Sequence, residues 1–125
     1  MADDRSSGDD VLDRVRAICL ALPGATEKDD HRPTFQVGKK SFVMFMDDHH
    51  GDGRLALWCK AAPGVQAELV ETEPERFFVP PYVGPQGWVG LLLTVDLDWD
   101  EVAALAEDAY RQQASKRLLA QLDGR

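Results

Sequence analysis

Phe42-Val43-Met44-Phe45-Met46 is apolar at every position. A strand with one face in water alternates, so an unbroken apolar run marks a strand that is covered on both faces or lies centrally in its sheet. Upstream, Thr34-Phe35-Gln36-Val37 alternates and Gly38-Lys39-Lys40 reads as a turn. Downstream, Asp47 to Gly53 is a turn cluster. Arg54 to Lys60 then returns, with Leu55, Leu57 and Cys59 on one face and Ala56 and Trp58 on the other. Period-two patterning between short turns makes an antiparallel meander of three strands.

Further out, the period changes to that of a helix. Val11, Leu12, Val15, Ile18, Cys19 and Leu22 form one apolar face, Asp9 or Asp10 supplies a cap, and Pro23-Gly24 ends the helix. Residues 1–8 read as a frayed tail, and Ala25 to Arg32 as a polar connection. After the meander, Pro63 suits the first turn of a short helix with Val65, Leu69 and Val70 inward. Thr72-Glu73-Pro74-Glu75 has the spacing of a capping box and predicts one more helical turn. Trp88 to Val95 reads as a long strand. Its Val89, Leu91, Leu93 and Val95 share one face, and Trp88, Gly90, Leu92 and Thr94 the other. Asp98 to Glu101 is a second capping box, opening a helix with Val102, Leu105, Ala106, Ala109 and Tyr110 inward. Ser115 breaks that helix and caps a last short one. The pattern predicts a single α+β domain over residues 9–123. An antiparallel sheet carries the N- and C-terminal helices on one face.

The chain has 125 residues and a mass of 13.9 kDa, enough for one core. With 14 Lys and Arg against 22 Asp and Glu, its net charge is -8, a field that repels phosphate backbones. Cys19 and Cys59 form no CxxC and read as two reduced, buried thiols of a cytoplasmic protein. No signal segment or long apolar run is evident, and no membrane role is expected.

Arg76-Phe77-Phe78-Val79-Pro80-Pro81-Tyr82-Val83-Gly84-Pro85-Gln86-Gly87-Trp88-Val89-Gly90 packs three prolines, three glycines and four aromatics into fifteen residues. Such a segment is stiff, and large aromatics are uncommon in surface loops. Tyr82 and Trp88 offer flat apolar faces with polar tips, and Lys60 and Arg76 are placed to meet an anion beside them. These four are the candidate residues for a partner or small ligand. The plainer reading has the aromatics filling the edge of the core. Lys39-Lys40 and Lys116-Arg117 are the adjacent basic pairs. They supply an alternative nucleic-acid face, or, for Lys39 and Lys40, edge-strand lysines that discourage aggregation. Asp47-Asp48-His49-His50-Gly51-Asp52 holds metal-ligand types without a ligand spacing, and reads as a solvated turn. Asp29-Asp30-His31-Arg32 holds an acid and a base without a nucleophile, and reads as a loop. No metal, cofactor or catalytic residue is expected.

Several of these segments together resemble the MmcQ/YjbR-like family. They are Cys19 to Glu27, Pro33 to Phe42, Lys60, the Arg76 to Gly90 block, Asp98 to Val102, Asp108 to Arg111, and Lys116-Arg117-Leu118. They occur in family order across residues 9 to 119. The resemblance implies an α+β sandwich similar to small secretion chaperones and frataxin, with no established reaction. It also implies a suggested role in DNA binding, which the charge of -8 weakens here. The expectation is a non-catalytic binding module, monomeric or homodimeric, that takes an unknown protein or small molecule. The alternative is a DNA-binding protein with a local basic face.

Overall fold

A bulge in the central strand sets the two layers. The computed structural model describes residues 4–29, 32–47, 55–93 and 97–124, with only the backbone of residues 4–9. Its elements are α1 (Asp4–Leu20), β1 (Ala25–Asp29), β2 (Pro33–Val37), β3 (Lys40–Asp47), β4 (Leu55–Cys59), α2 (Val65–Thr72), β5 (Phe77–Phe78), β6 (Val89–Leu92), α3 (Trp99–Gln113) and α4 (Lys116–Asp123). A 3-10 turn covers Gly84–Gln86. The six strands form one sheet in the order β1-β2-β3-β4-β6-β5, antiparallel at each pairing. Between β2 and β3, Phe35 pairs with Val43 but Gln36 pairs with Ser41, which leaves Phe42 as the extra residue. Phe42 and Val43 therefore both enter the main core, and the alternation resumes beyond them, with Phe45 in that core and Met44 and Met46 on the opposite face.

The main core lies between the sheet and α1 and α3, as the apolar faces predict. Leu57, Cys59, Val89 and Leu91 point into it from β4 and β6, against Val15 and Cys19 of α1 and Val102, Ala106 and Ala109 of α3. Tyr110 is fully buried. Its ring meets Phe42 edge-on at 5.6 Å, and its hydroxyl donates to the Pro23 carbonyl. A smaller cluster of Met46, Ala56, Trp58 and Trp88 covers the other face. Gly90 sits between Trp58 and Phe78 in the cross-strand register. A Cβ there would overlap the Phe78 ring, so the ring lies directly on the backbone.

Three expectations change. The helix expected to start near Asp9 reaches back to Asp4. Extending a formed helix needs no new nucleus, and acidic residues complement its N-terminal dipole. The polar connection at Ala25–Asp29 is a strand, drawn into the sheet by pairing with β2 and anchored where Arg16 donates to both oxygens of Glu27. The long strand expected from Trp88 is regular over Val89–Leu92, and Thr94, Val95 and Asp96 lie outside the described residues. Ser115 caps α4 as expected, accepting from the Leu118 N–H. Among the described residues no helix is long and apolar enough to cross a membrane.

Cys19 and Cys59 are free and buried. Burial pushes the Cys59 thiol up to about 12, and burial, reinforced by Cys59, raises Cys19 as well. In the unfolded chain each thiol ionises near 8.5. Above that pH the unfolded state holds fewer protons than the native state, so this contribution is complete below about pH 8.5 and is lost as pH rises. The wild type should therefore lose stability faster than the Cys19→Ala/Cys59→Ala variant above that pH. The expected difference is about 1.4 kcal/mol per pH unit for each thiol, read from urea melts across the alkaline range. Parallel pH profiles would refute the assignment.

Candidate functional site

The Arg76 to Gly90 segment leaves α2 through a closed turn in which the Arg76 and Phe77 N–H groups both donate to the Glu73 carbonyl. The Arg76 guanidinium spans Glu73, at 2.5 Å, and Glu101, and lies 5.2 Å from the Phe77 ring centre. The bonds to Glu101 and then to Glu73 raise its pKa above the ordinary value. Neither capping box forms as expected, and this node accounts for the second. In the first, Thr72 donates back to the Glu68 carbonyl at the end of α2 instead of capping, and no further helical turn opens. In the second, Glu101 goes to Arg76, and Asp98 caps α3 by accepting from the Asp100 N–H at 3.0 Å.

Phe77 then enters the main core and Phe78 packs on the opposite face, where β5 forms the edge of the sheet. Beyond them the chain loops out and returns at Trp88. Two side chains hold that loop. Gln66 donates to the Gly84 and Trp88 carbonyls, at 2.8 and 2.6 Å, and the Lys60 ammonium donates to the Gln86 carbonyl. Pro80 is buried, whereas Pro81 and Pro85 are exposed. At the tip, Tyr82 takes a φ of 69° while the Val83 N–H donates to the Pro81 carbonyl at 2.7 Å. That is a γ-turn of the strained, positive-φ hand. Tyr82 is 73% exposed and Val79 53%.

The four residues expected to bind a ligand or partner therefore separate. Tyr82 projects into solvent. Trp88, expected beside it, is only 3% exposed and belongs to the cluster with Trp58 and Met46. Arg76 is committed to its two glutamates. Lys60 braces the loop and also lines a cavity of about 230 Å³ over Ala61, Val65 and Leu105. Asp108 and Arg111 stand at that cavity, and Arg111 is paired with Asp123 and Glu107, which hold it above its ordinary pKa. Past the end of α3, Lys39, Lys40 and Arg117 line an open cleft, with Lys116 next in sequence.

Asp30, His31, Asp48, His49, His50, Gly51 and Asp52 lie outside the described residues. Among the described residues, no group of three His, Cys, Asp or Glu side chains is placed to hold a metal. Gln66 is the residue that sequence reasoning passed over. Its signal was a polar side chain within the stripe Val65, Leu69 and Val70 that faces inward from α2.

The family model described as YjbR matches residues 20–112. No curated protein matches the chain. Among solved structures, the fold is similar to that of Deinococcus radiodurans protein DR2400, a DUF419 domain. The TM-score is 0.69 at 22% identity, with 90% of this chain and 87% of that chain covered.

Gln66→Ala removes this donor from the Trp88 carbonyl and leaves the Gly84 carbonyl with the Gly87 N–H alone, and should cost about 1–3 kcal/mol. Gln66→Glu should cost more, because a carboxylate would face two acceptors. Urea melts give that ranking, and amide exchange at Gln86 and Gly87 should quicken in both variants. Wild-type exchange at those amides would remove Gln66 as the brace.

Proposed function

The chain belongs to the YjbR family, and from that premise we propose that it is a non-catalytic binding module that docks on a protein partner through the Val79–Pro85 tip. The observation that carries the proposal is Tyr82, held at a φ of 69° and 73% exposed. A non-glycine residue in the left-handed region costs about 1–2 kcal/mol. Strain of this kind persists only where the surroundings fix it, and it concentrates at functional sites. Here the surroundings are Gln66, Lys60 and buried Pro80, which hold the loop from beneath while Val79, Pro81, Tyr82 and Pro85 face solvent. A projecting apolar tip of this kind anchors in a partner's recess, whereas a small ligand needs a concave site. Rigidity helps because little side-chain and loop entropy remains to be lost on binding. In this reading Lys60 and Arg76 position the loop, and Trp88 supports it from the core.

A photo-crosslinking residue in place of Tyr82, compared with one in place of Thr26 on β1, identifies the partner. A product with a second copy of the chain would assign the tip to a homodimer. Binding of the identified partner, measured by calorimetry, should weaken at least about tenfold in Tyr82→Ala with the melt unchanged in shape. Wild-type affinity in that variant would overturn the proposal. The strain has its own readout. Tyr82→Gly should be more stable than Tyr82→Ala by about 1 kcal/mol, the reverse of the usual order. The usual order would mean that the turn is unstrained.

A further inference from the structure

In this acidic chain the arginines near carboxylates are paired. Arg16 meets Glu27, Arg76 meets Glu73 and Glu101, and Arg111 meets Glu107 and Asp123. Lys39, Lys40, Lys116 and Arg117 are exposed, and their side chains make no ion pair or hydrogen bond among the described residues. The chain between Lys40 and Lys116 holds strands β3 to β6 with α2 and α3, yet the fold brings the two basic pairs to one place. Lys39, Lys40 and Arg117 line a cleft of about 370 Å³ between the β2–β3 turn and the α3–α4 corner, over Val37 and Leu118, and no carboxylate lines it.

The walls of this cleft are fixed. Gly38 turns the hairpin at a φ of 63°. Gln113 donates to the Ser41 carbonyl at 2.9 Å, which ties the end of α3 to the start of β3. Ser115 caps α4 by accepting from Leu118, so the N–H groups of Lys116 and Arg117 remain in the helix's first turn, where no intrahelical acceptor exists. Nor are Lys39 and Lys40 guards of a sheet edge. The edges of this sheet are β1 and β5, and the β2–β3 turn joins two interior strands. Protection against edge pairing therefore does not explain these lysines.

We propose that the cleft binds a compact, multiply phosphorylated small molecule. Three unpaired cations around one concavity match clustered negative charge, and guanidinium and ammonium groups make their strongest hydrogen bonds to phosphate oxygens. The net charge of -8 favours a compact ligand over a duplex. A duplex carries a charge about every 1.7 Å and extends past the cleft over the acidic remainder of the surface. For a ligand confined to the cleft, carboxylates farther away than a Debye length, about 8 Å at physiological salt, are largely screened.

The test uses isotope-labelled full-length chain and inorganic tripolyphosphate at about 0.15 M salt. Saturable amide shifts are expected at Lys39, Lys40, Arg117 and Leu118. Orthophosphate should bind at least about tenfold more weakly, and Lys40→Gln/Arg117→Gln should weaken tripolyphosphate binding by at least about tenfold while its melt stays that of the wild type. Arg117→Lys, which keeps the charge, should recover most of the affinity. Absence of saturable shifts, shifts elsewhere on the surface, or equal affinity in the double variant would overturn the proposal. Tighter binding of a short DNA duplex than of tripolyphosphate would overturn it in favour of a nucleic-acid site.

Discussion

The unpaired Phe42 in the β2–β3 bulge is the constraint from which the rest of the structure follows. A regular strand would send Phe42 and Val43 to opposite faces. The bulge sends both to the helices, and it does so beside Tyr110, whose ring meets Phe42 edge-on and whose hydroxyl holds the Pro23 carbonyl. One aromatic contact thus links the exit of α1, the central strand and the last turns of α3. Beyond the bulge, Met44 and Met46 are free to build the opposite cluster, on which Trp88 and Phe78 rest. The loop that carries Tyr82 is supported at the end of that chain of contacts.

Arg76 has a comparable role on the polar side. Glu101, which local spacing assigns to a helix cap, is diverted together with Glu73 to one guanidinium. A capping box is worth about 1 kcal/mol and is read from four residues. A partly buried carboxylate that gains a charge-assisted bond outweighs it, and nothing within those four residues reveals the competitor. The same diversion fixes where α2 ends and where the aromatic segment begins.

The parts of the fold that were legible in the sequence are those that local periodicity encodes. The strand faces of Leu55 to Cys59 and Val89 to Leu93, the inward stripe of α3 and the cap at Ser115 all repeat at the period of their element. The parts that were not legible depend on partners distant in the chain. Ala25–Asp29 is polar throughout its exposed positions and becomes a strand because β2 offers it a ladder and Arg16 neutralises Glu27. Trp88 and Tyr82 look alike in a Pro/Gly-rich segment, and only the return of the chain onto Trp58 decides which ring is covered. The meeting of Lys39 and Lys40 with Arg117 is likewise a product of topology.

The ring of Phe78 resting on Gly90 also governs how the sequence can change over time. Position 90 accepts a side chain only after position 78 has become smaller, whereas position 78 can shrink first and leave no clash. The two substitutions are therefore ordered. A lineage that leaves this pairing passes through a smaller residue at 78, and one that returns must restore the glycine before the aromatic ring. Both journeys share one intermediate, set by the absence of a single carbon at position 90.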